Sequence, residues 1–155
     1  MIFVTVGGMR GFERLVREMD RIAREVDERV VMQIGPTDYL PGNCEYFRFM
    51  SRDNMRNQYA EARLVVCHAG TGSILAALEH ARPLVLVPRL REYGEVIDDH
   101  QLELAAEMER RGVPVVYDIA NLEPALRNIP ANPPEFRGDT TLVDRLTEYL
   151  DHIQK

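Results

Sequence analysis

Short apolar runs alternate with helical patterns along most of the chain. Apolar runs of four or five residues that stop at Gly, Pro or polar positions are typical of buried strands. The predicted strands are Ile2–Val6, Val30–Ile34, Tyr46–Phe49, Leu64–Cys67, Leu84–Val87 and Val113–Tyr117. Between the strands, apolar residues at intervals of three and four predict helices over 12–26, 54–62, 73–80 and 102–108. This alternation predicts an α/β fold, a Rossmann-like parallel sheet with helices on both faces.

The chain has the length of one ordinary domain. Its 155 residues, 45% of them hydrophobic, suffice to bury a core without disulfides, so we expect a single domain over 1–155. Three prolines predict an extended, Pro-rich connection over 130–138. Helical spacing of Leu142, Leu146 and Leu150 predicts a C-terminal helix within 139–155. Two roles stay open for its apolar face: packing on its own domain, or contact with a partner.

Charge and hydropathy exclude several classes of protein. A formal net charge of −6 argues against nucleic-acid binding, because binding to phosphates requires an excess of Lys and Arg. The N-terminal apolar run lacks the features of a signal peptide, and no run approaches the roughly 18 residues of a membrane span. We therefore expect no direct membrane insertion. Cys44 and Cys67 fall in apolar runs, which predicts buried thiols in a reducing, cytoplasmic compartment.

Three loops after predicted strands carry the candidate chemistry, because open α/β sheets bind ligands at the carboxyl ends of their strands. The first glycine loop, residues 7–11, reads Gly-Gly-Met-Arg-Gly. Gly7 and Gly8 allow the backbone to approach a ligand closely, and the helix behind them favours a phosphate. A simple tight turn is the alternative, because the loop is not a GxGxxG string.

The second glycine loop, residues 68–73, reads His-Ala-Gly-Thr-Gly-Ser and opens a helix. Its two glycines, together with the hydroxyl groups of Thr71 and Ser73, would form a cradle for a diphosphate at the positive end of that helix. Capping of the helix by Ser or Thr is the alternative.

The polar loop, residues 89–101, follows the fifth predicted strand. Asp98, Asp99, His100 and Gln101 place four hydrogen-bonding side chains at the start of a helix, which suits a ligand rich in hydroxyl groups. Capping of the helix by an aspartate is the alternative. No second cluster of His or Cys has the spacing of metal ligands, so we expect no metal and no cofactor.

Taken together, these motifs resemble the C-terminal, donor-binding domain of glycosyltransferase family 28. The likeness rests on residues 68–74 (HAGTGSI), 83–89 (PLVLVPR), 93–95 (YGE) and 98–103 (DDHQLE), and it extends from residue 1 to about 126. Within the family, the likeness is to stand-alone versions: PssE-type subunits of exopolysaccharide synthesis and the soluble catalytic subunit of the two-subunit UDP-N-acetylglucosamine transferase. The resemblance implies the C-terminal half of a GT-B fold.

The resemblance also implies a reaction. The substrate would be a UDP-sugar, with UDP-N-acetylglucosamine or another UDP-hexose as donor, and the sugar would pass to a lipid-linked acceptor without a metal or a covalent intermediate. A membrane-anchored, PssD-like partner subunit would bind the acceptor. The chain would then be a cytoplasmic subunit that is peripheral to the membrane through its partner, in polysaccharide or glycan biosynthesis.

Carried over by motif, nine residues would bind the substrate: Gly7, Gly8, Gly70, Thr71, Gly72, Ser73, Glu95, Asp99 and Gln101. The glycine loops would lie along the uridine diphosphate, Asp99 and Gln101 would face phosphates and sugar hydroxyls together with His100, and Glu95 would lie near them. His68 and His100 are the candidate catalytic residues, in contact with developing negative charge. The base that deprotonates the acceptor is expected on the partner, with His68 as the alternative.

Some positions depart from the family pattern. Ala76 stands where many members carry a glutamate that holds the ribose hydroxyls. Val96 replaces a common histidine, and Gly8 replaces a frequent threonine. Ala76 therefore keeps a second function open: a non-catalytic, regulatory module that binds a nucleotide-sugar.

Overall fold

Five parallel strands form one sheet. The computed structural model describes residues 1–130 and 143–148. Its strands are β1 (Ile2–Thr5), β2 (Val30–Gln33), β3 (Glu45–Phe47), β4 (Leu64–Cys67) and β5 (Leu84–Leu86). They lie in the order β3-β2-β1-β4-β5, and all neighbours are parallel. Because the chain reverses its direction across the sheet between β3 and β4, the loops after β1 and β4 leave the sheet side by side at a topological switch point.

Helices connect the strands, as the sequence pattern predicts. They are α1 (Glu13–Ala23), α2 (Arg52–Glu61), α3 (Thr71–Glu79), α4 (His100–Arg110) and α5 (Leu122–Arg127). Short 3-10 turns lie at Arg91–Tyr93 and Ile119–Asn121. The predicted Rossmann-like fold is therefore confirmed. Helices α1 to α4 end close to the predicted bounds, whereas the sequence pattern did not predict α5.

The prediction of a sixth strand at Val113–Tyr117 is wrong. It contributes only a single parallel bridge between Val115 and Leu86. The N–H of Leu86 donates to the carbonyl of Pro114 at 2.9 Å, and the N–H of Val116 donates to the carbonyl of Leu86 at 2.8 Å. Pro114 has no N–H with which to continue a ladder, so the segment pairs with the sheet edge over one residue.

Apolar layers cover both faces of the sheet. Alternate residues of β1 enter different layers, because successive side chains of a strand point to opposite faces. Ile2 and Val4 belong to the layer that contains the apolar face of α1, whereas Phe3 belongs to the layer of α2, α3 and α4. The rigid sheet thereby fixes where its carboxyl edge, and the loops on that edge, lie.

The C-terminal helix lies partly outside the described residues. Positions 143–148 are helical. Within them, Leu146 is buried in the same layer as Phe3 and Ile74, whereas Val143 is exposed. At Leu146 the helix therefore packs on its own domain. The predicted connection after residue 130 and the apolar positions Leu142, Tyr149, Leu150 and Ile153 lie outside the described residues.

Candidate functional site

An open cavity of about 800 Å³ lies at the carboxyl edge of the sheet, beside the switch point. Its walls come from the ends of β1 and β2, the loop after β3, and helices α2 and α3. The lining residues are Thr5, Gly7, Gly8, Gln33, Phe49, Met50, Arg52, Met55, Arg56, Tyr59, Gly72, Ser73, Leu75, Ala76 and Glu79. The structure thus brings Gly7, Gly8, Gly72 and Ser73, which the sequence assigned to substrate binding, into one cavity.

Gln33 holds the start of the first glycine loop. Its side-chain Nε2 donates to the carbonyl of Gly7 at 3.0 Å, and its Oε1 accepts the N–H of Gly7 at 3.1 Å. The hydroxyl of Thr5 donates to the same Oε1 at 2.6 Å, and Nε2 also donates to the carbonyl of Arg48 at 2.9 Å. Gly7 has a φ of 76°, a left-handed conformation that favours glycine. The loop is therefore fixed in one conformation before a ligand arrives.

Arg89 holds the other end of this loop from inside the protein. The residue is only 4% exposed, and its Nη2 donates to the carbonyls of Val6 at 2.8 Å and Arg10 at 2.7 Å. The guanidinium carbon lies 4.9 Å from the centre of the Phe12 ring. Burial lowers the pKa of Arg89 to about 10, so the side chain is charged at neutral pH.

The first glycine loop presents unpaired backbone donors. The carbonyl groups of Gly7 and Arg10 are bonded to buried side chains, as described above. Among the described residues, no hydrogen bond uses the N–H of Gly8, Met9 or Arg10 as donor. Unpaired N–H groups that precede a helix form a suitable site for an anion. The arrangement favours the binding role of this loop over a simple turn.

The second glycine loop opens α3 without a side-chain cap. Gly70 is the N-cap residue of the helix, and no side chain bonds there, so the alternative of a Ser or Thr cap is wrong. The first N–H groups of a helix have no partner within it and carry the positive end of its dipole. Thr71 is buried, while Gly72 and Ser73 line the cavity. A Cβ added at Gly72 would meet no atom within 4 Å.

His68 packs between the two glycine loops. A Cβ at Gly7 would lie 2.8 Å from Cε1 of His68, and a Cβ at Gly70 would overlap the imidazole ring. Burial, and then the charge of Arg89, lower the pKa of His68 to about 3, so the ring is neutral at physiological pH. Its Nδ1 is buried without a hydrogen-bond partner in the described part of the chain. A neutral imidazole can donate a hydrogen bond to developing negative charge but adds no positive charge of its own.

The polar loop is fastened to its own domain. Glu95 accepts hydrogen bonds from Nε and Nη2 of Arg14 at 2.8 and 3.0 Å and from the N–H of Leu90 at 2.9 Å. The side chains of this ion pair are only 14% and 11% exposed. Gln101 accepts the N–H of Arg89 at 3.4 Å. These contacts tie the loop to α1 and to the end of β5.

The start of α4 is exposed and lies apart from the lining of the cavity. Asp99 is the N-cap residue of α4 but makes no side-chain cap bond, and its carboxylate lies 3.9 Å from Arg91. The neighbouring Asp98 accepts the N–H of His100 at 3.2 Å. Neither these residues nor Glu95 line the cavity. The roles assigned to Glu95, Asp99, His100 and Gln101 therefore stay predictions.

Several residues that line the cavity were not predicted from the sequence as site residues. Arg52 and Arg56 lie one helical turn apart on α2 and add positive charge to the cavity. Phe49, 62% exposed, offers an aromatic face beside Gly8. Glu79 follows Ala76 by three residues on α3 and lines the same cavity. The spacing of the two arginines was a usable signal, whereas Phe49 and Glu79 are identified only by the fold.

The described residues hold no group of three or more His, Cys, Asp or Glu side chains that could bind a metal ion. In the same part of the chain, no helix combines the length and apolar character needed to cross a bilayer. Both cysteines are free thiols, with Cys67 buried and Cys44 partly buried.

Comparison with known families identifies the family of this chain. The model of the glycosyltransferase family 28 C-terminal domain matches residues 1–141. The chain belongs to this family, and the resemblance inferred from its motifs is confirmed.

Relatives and a solved structure agree with this assignment. The human UDP-N-acetylglucosamine transferase subunit ALG13 is 32% identical over 122 residues, which are 72% of this chain and 10% of that protein. The UDP-N-acetylglucosamine--N-acetylmuramyl-(pentapeptide) pyrophosphoryl-undecaprenol N-acetylglucosamine transferase of Salinibacter ruber is 31% identical over 139 residues, 83% of this chain and 36% of that enzyme. A solution structure of ALG13 superposes with a TM-score of 0.56 at 21% identity, covering 81% of this chain and 83% of that chain. The chain thus spans only a fraction of the two curated relatives.

Proposed function

We propose that the chain is the donor-binding subunit of a UDP-sugar glycosyltransferase, with UDP-N-acetylglucosamine as the first donor to test. The observation that carries this proposal is the cavity at the switch point, where two loops with unpaired N–H groups meet. Family membership supports a sugar transferase. Both relatives are named as N-acetylglucosamine transferases, which supports N-acetylglucosamine as the sugar.

The positive charge and backbone donors along the cavity suit the diphosphate of the donor. The diphosphate would lie against Gly8 and Gly72, where backbone donors and the dipole of α3 stabilise negative charge. Arg52 and Arg56 add positive side chains along the same cavity. The nucleoside would extend along α2 and α3 towards Phe49 and beyond Ala76. Charge at the phosphates is thus balanced by the protein itself.

The reaction that we propose is a direct displacement. An acceptor oxygen forms a bond to the anomeric carbon, and the bond between that carbon and the diphosphate oxygen breaks. The departing UDP takes the electron pair, and the acceptor proton passes to a base on the partner. Hydrogen-bond donors that are already in place stabilise the leaving diphosphate without reorganisation. The neutral His68 would contribute at most an N–H donor.

A second polypeptide would complete the site. The cavity of this chain is open on one side. Exposed apolar side chains lie on the loops after strands, at Met9, Phe49, Tyr93 and Ile97, and would be covered by such a partner. We propose a membrane-anchored, PssD-like subunit that presents a lipid-linked acceptor at the cytoplasmic face. The Salinibacter ruber relative is named for a pyrophosphoryl-undecaprenol acceptor, which supports a polyprenol acceptor here.

Sugar transfer by the purified chain tests the proposal. The chain is mixed with radiolabelled UDP-N-acetylglucosamine, with and without membranes of the source cells, which supply partner and acceptor. We expect label in the lipid fraction only when chain and membranes are combined, and none with Gly72→Val. Robust transfer by the chain with a purified lipid acceptor alone would contradict the need for a partner. Binding of UDP without transfer in any combination would favour the regulatory module that Ala76 suggests.

A further inference from the structure

Arg89 is a buried cation that the reaction described above does not use. Its guanidinium bonds carbonyls four residues apart, those of Val6 and Arg10, and Gly7, Gly8 and Met9 form the turn between them. We propose that Arg89 is a positioning residue for the donor diphosphate, which it acts on through the first glycine loop. This inference rests on the proposed binding of a UDP-sugar.

The two carbonyl bonds close the turn from behind. Both distances, 2.8 and 2.7 Å, are those of good hydrogen bonds. While Arg89 occupies these carbonyls, the N–H groups of Gly8 and Met9 stay available to a ligand. Without the guanidinium, the carbonyl groups would seek other donors, and the turn would lose the conformation that Gln33 fixes at its other end.

The charge of Arg89 is not cancelled by a direct partner. Its two bonded oxygens are neutral carbonyls, and its Nε is buried with no hydrogen-bond partner among the described residues. The Glu95 carboxylate acts electrostatically on Arg89, but the oxygens of Glu95 are bonded to Arg14 and to the N–H of Leu90. A partly uncompensated charge in a poorly solvated position acts strongly on an anion on the other side of the loop.

A purely structural role makes a different prediction. If Arg89 only stabilised the fold, its loss would weaken the binding of UDP and of uridine to a similar degree. If it acts on the diphosphate, UDP will be affected and uridine will not. Comparison of UDP with uridine, measured by NMR titration of the whole chain, therefore separates the two roles.

The chain offers a matched control. Arg48 also donates from one guanidinium nitrogen to two backbone carbonyls, those of Gly35 at 2.8 Å and Thr37 at 2.9 Å. That loop follows β2 and does not line the cavity. Arg48→Met thus removes the same kind of contact from a neighbouring loop, in which Gly35 packs against the carbonyl of Gly7, and it leaves both bonds from Arg89 in place.

We expect Arg89→Met to weaken UDP binding about tenfold or more, with uridine affinity changed by less than about twofold. Arg89→Lys keeps the charge, but its side chain is one atom shorter and its ammonium stops short of the position of Nη2, so it should fall between wild type and Met. Arg48→Met should lose much less UDP affinity than Arg89→Met. Wild-type UDP affinity in Arg89→Met, or an equal loss for UDP and uridine, would overturn the inference.

If Arg89→Met does not fold, Arg89→Lys decides: a selective loss of UDP affinity supports the inference, and wild-type affinity overturns it. Absence of UDP binding by the wild-type chain would instead refute the proposed function. The two failures are therefore distinguishable.

Discussion

The glycine loops and the polar loop lie at the same edge of the sheet but differ in how their polar groups are bonded. At the first glycine loop, buried Gln33 and Arg89 bond the carbonyls of Gly7, Val6 and Arg10, while backbone N–H groups of the loop stay unpaired. In the polar loop, Glu95 and Gln101 are bonded within the domain, whereas Asp99 is exposed without a side-chain cap bond. The glycine loop thus offers donors to an anion, whereas Glu95 and Gln101 have partners without a ligand.

This difference shows that a loop can carry a family motif without holding its polar groups free and in place for a ligand. A preorganised site holds its donors in place before the ligand binds, so no free energy is spent on reorganisation. The glycine loops meet that condition within this chain alone. The exposed start of α4 could meet it only when a partner or the sugar itself provides further contacts.

The largest effect is expected for Gly72→Val. Its side chain would enter the cavity where the diphosphate is proposed to lie, because nothing within 4 Å of the new Cβ fills that space. UDP affinity should fall about a hundredfold, equivalent to ~3 kcal/mol, as measured by calorimetry. Valine is a better helix residue than glycine, so the melting temperature should not fall.

Gly42→Val is the matched control for this substitution. A Cβ at Gly42 also meets no atom within 4 Å, but the residue lies away from the cavity lining. It should bind UDP like wild type. Equal UDP binding by wild type and Gly72→Val would place the diphosphate elsewhere.

Loss of the Glu95 carboxylate should affect the fold more than the ligand. Glu95→Ala leaves Arg14 and the N–H of Leu90 without their acceptor, and hydrogen bonds to a charged group are worth about 1.5–3 kcal/mol. The free energy of unfolding in urea should fall by about 2 kcal/mol, while UDP affinity stays within about twofold. A large loss of UDP affinity at unchanged stability would show that Glu95 binds the donor directly.

Gln101→Ala should separate binding from transfer. Gln101 does not line the cavity, so UDP affinity of the isolated chain should be unchanged. If it contacts the sugar in the complete enzyme, transfer in the presence of membranes should fall about tenfold, the effect of losing one good hydrogen bond. Full transfer activity with every donor tested would remove Gln101 from the site.

The smallest effect concerns the protonation of His68. Its folded pKa of about 3 lies below the unfolded value of about 6.5, so the unfolded chain binds more protons between these values. The contribution of the neutral ring to stability is full above pH 6.5 and is lost as pH falls towards 3.

His68→Gln lacks this titration and serves as the comparison. Between pH 7 and 5.5, wild type should lose about 1 kcal/mol more stability than His68→Gln, measured by urea unfolding at each pH. Parallel pH profiles for the two proteins would mean that the imidazole is solvated and free to protonate.

The fold was largely predictable because its signals are local and repeated. Apolar runs such as Leu64–Cys67 fill buried strands with no need of long-range information, and this strand has the predicted bounds. The prediction failed at Val113–Tyr117, where composition favoured a strand. There the number of pairing partners at the sheet edge, and the missing N–H of Pro114, decided the outcome.

The site was predictable only in part. The glycines stand out because few other residues allow close backbone approach at a strand end. Gln33 and Arg89 act through contacts with residues 26 and 83 positions away, with Gly7 and Val6 respectively, and such distances along the chain leave no local pattern. A single polar residue in an apolar strand, as at Gln33, was the only sequence signal.

Backbone amide shifts on titration with UDP test the central claim most directly, that the glycine loops hold the diphosphate in this chain alone. In a ¹⁵N-labelled sample, we predict the largest shifts at Gly8, Met9, Gly72 and Ser73, with small shifts over residues 95–101. Addition of uridine alone should leave these glycine-loop amides nearly unmoved. Large UDP-dependent shifts confined to residues 95–101, with the glycine loops unchanged, would contradict the account.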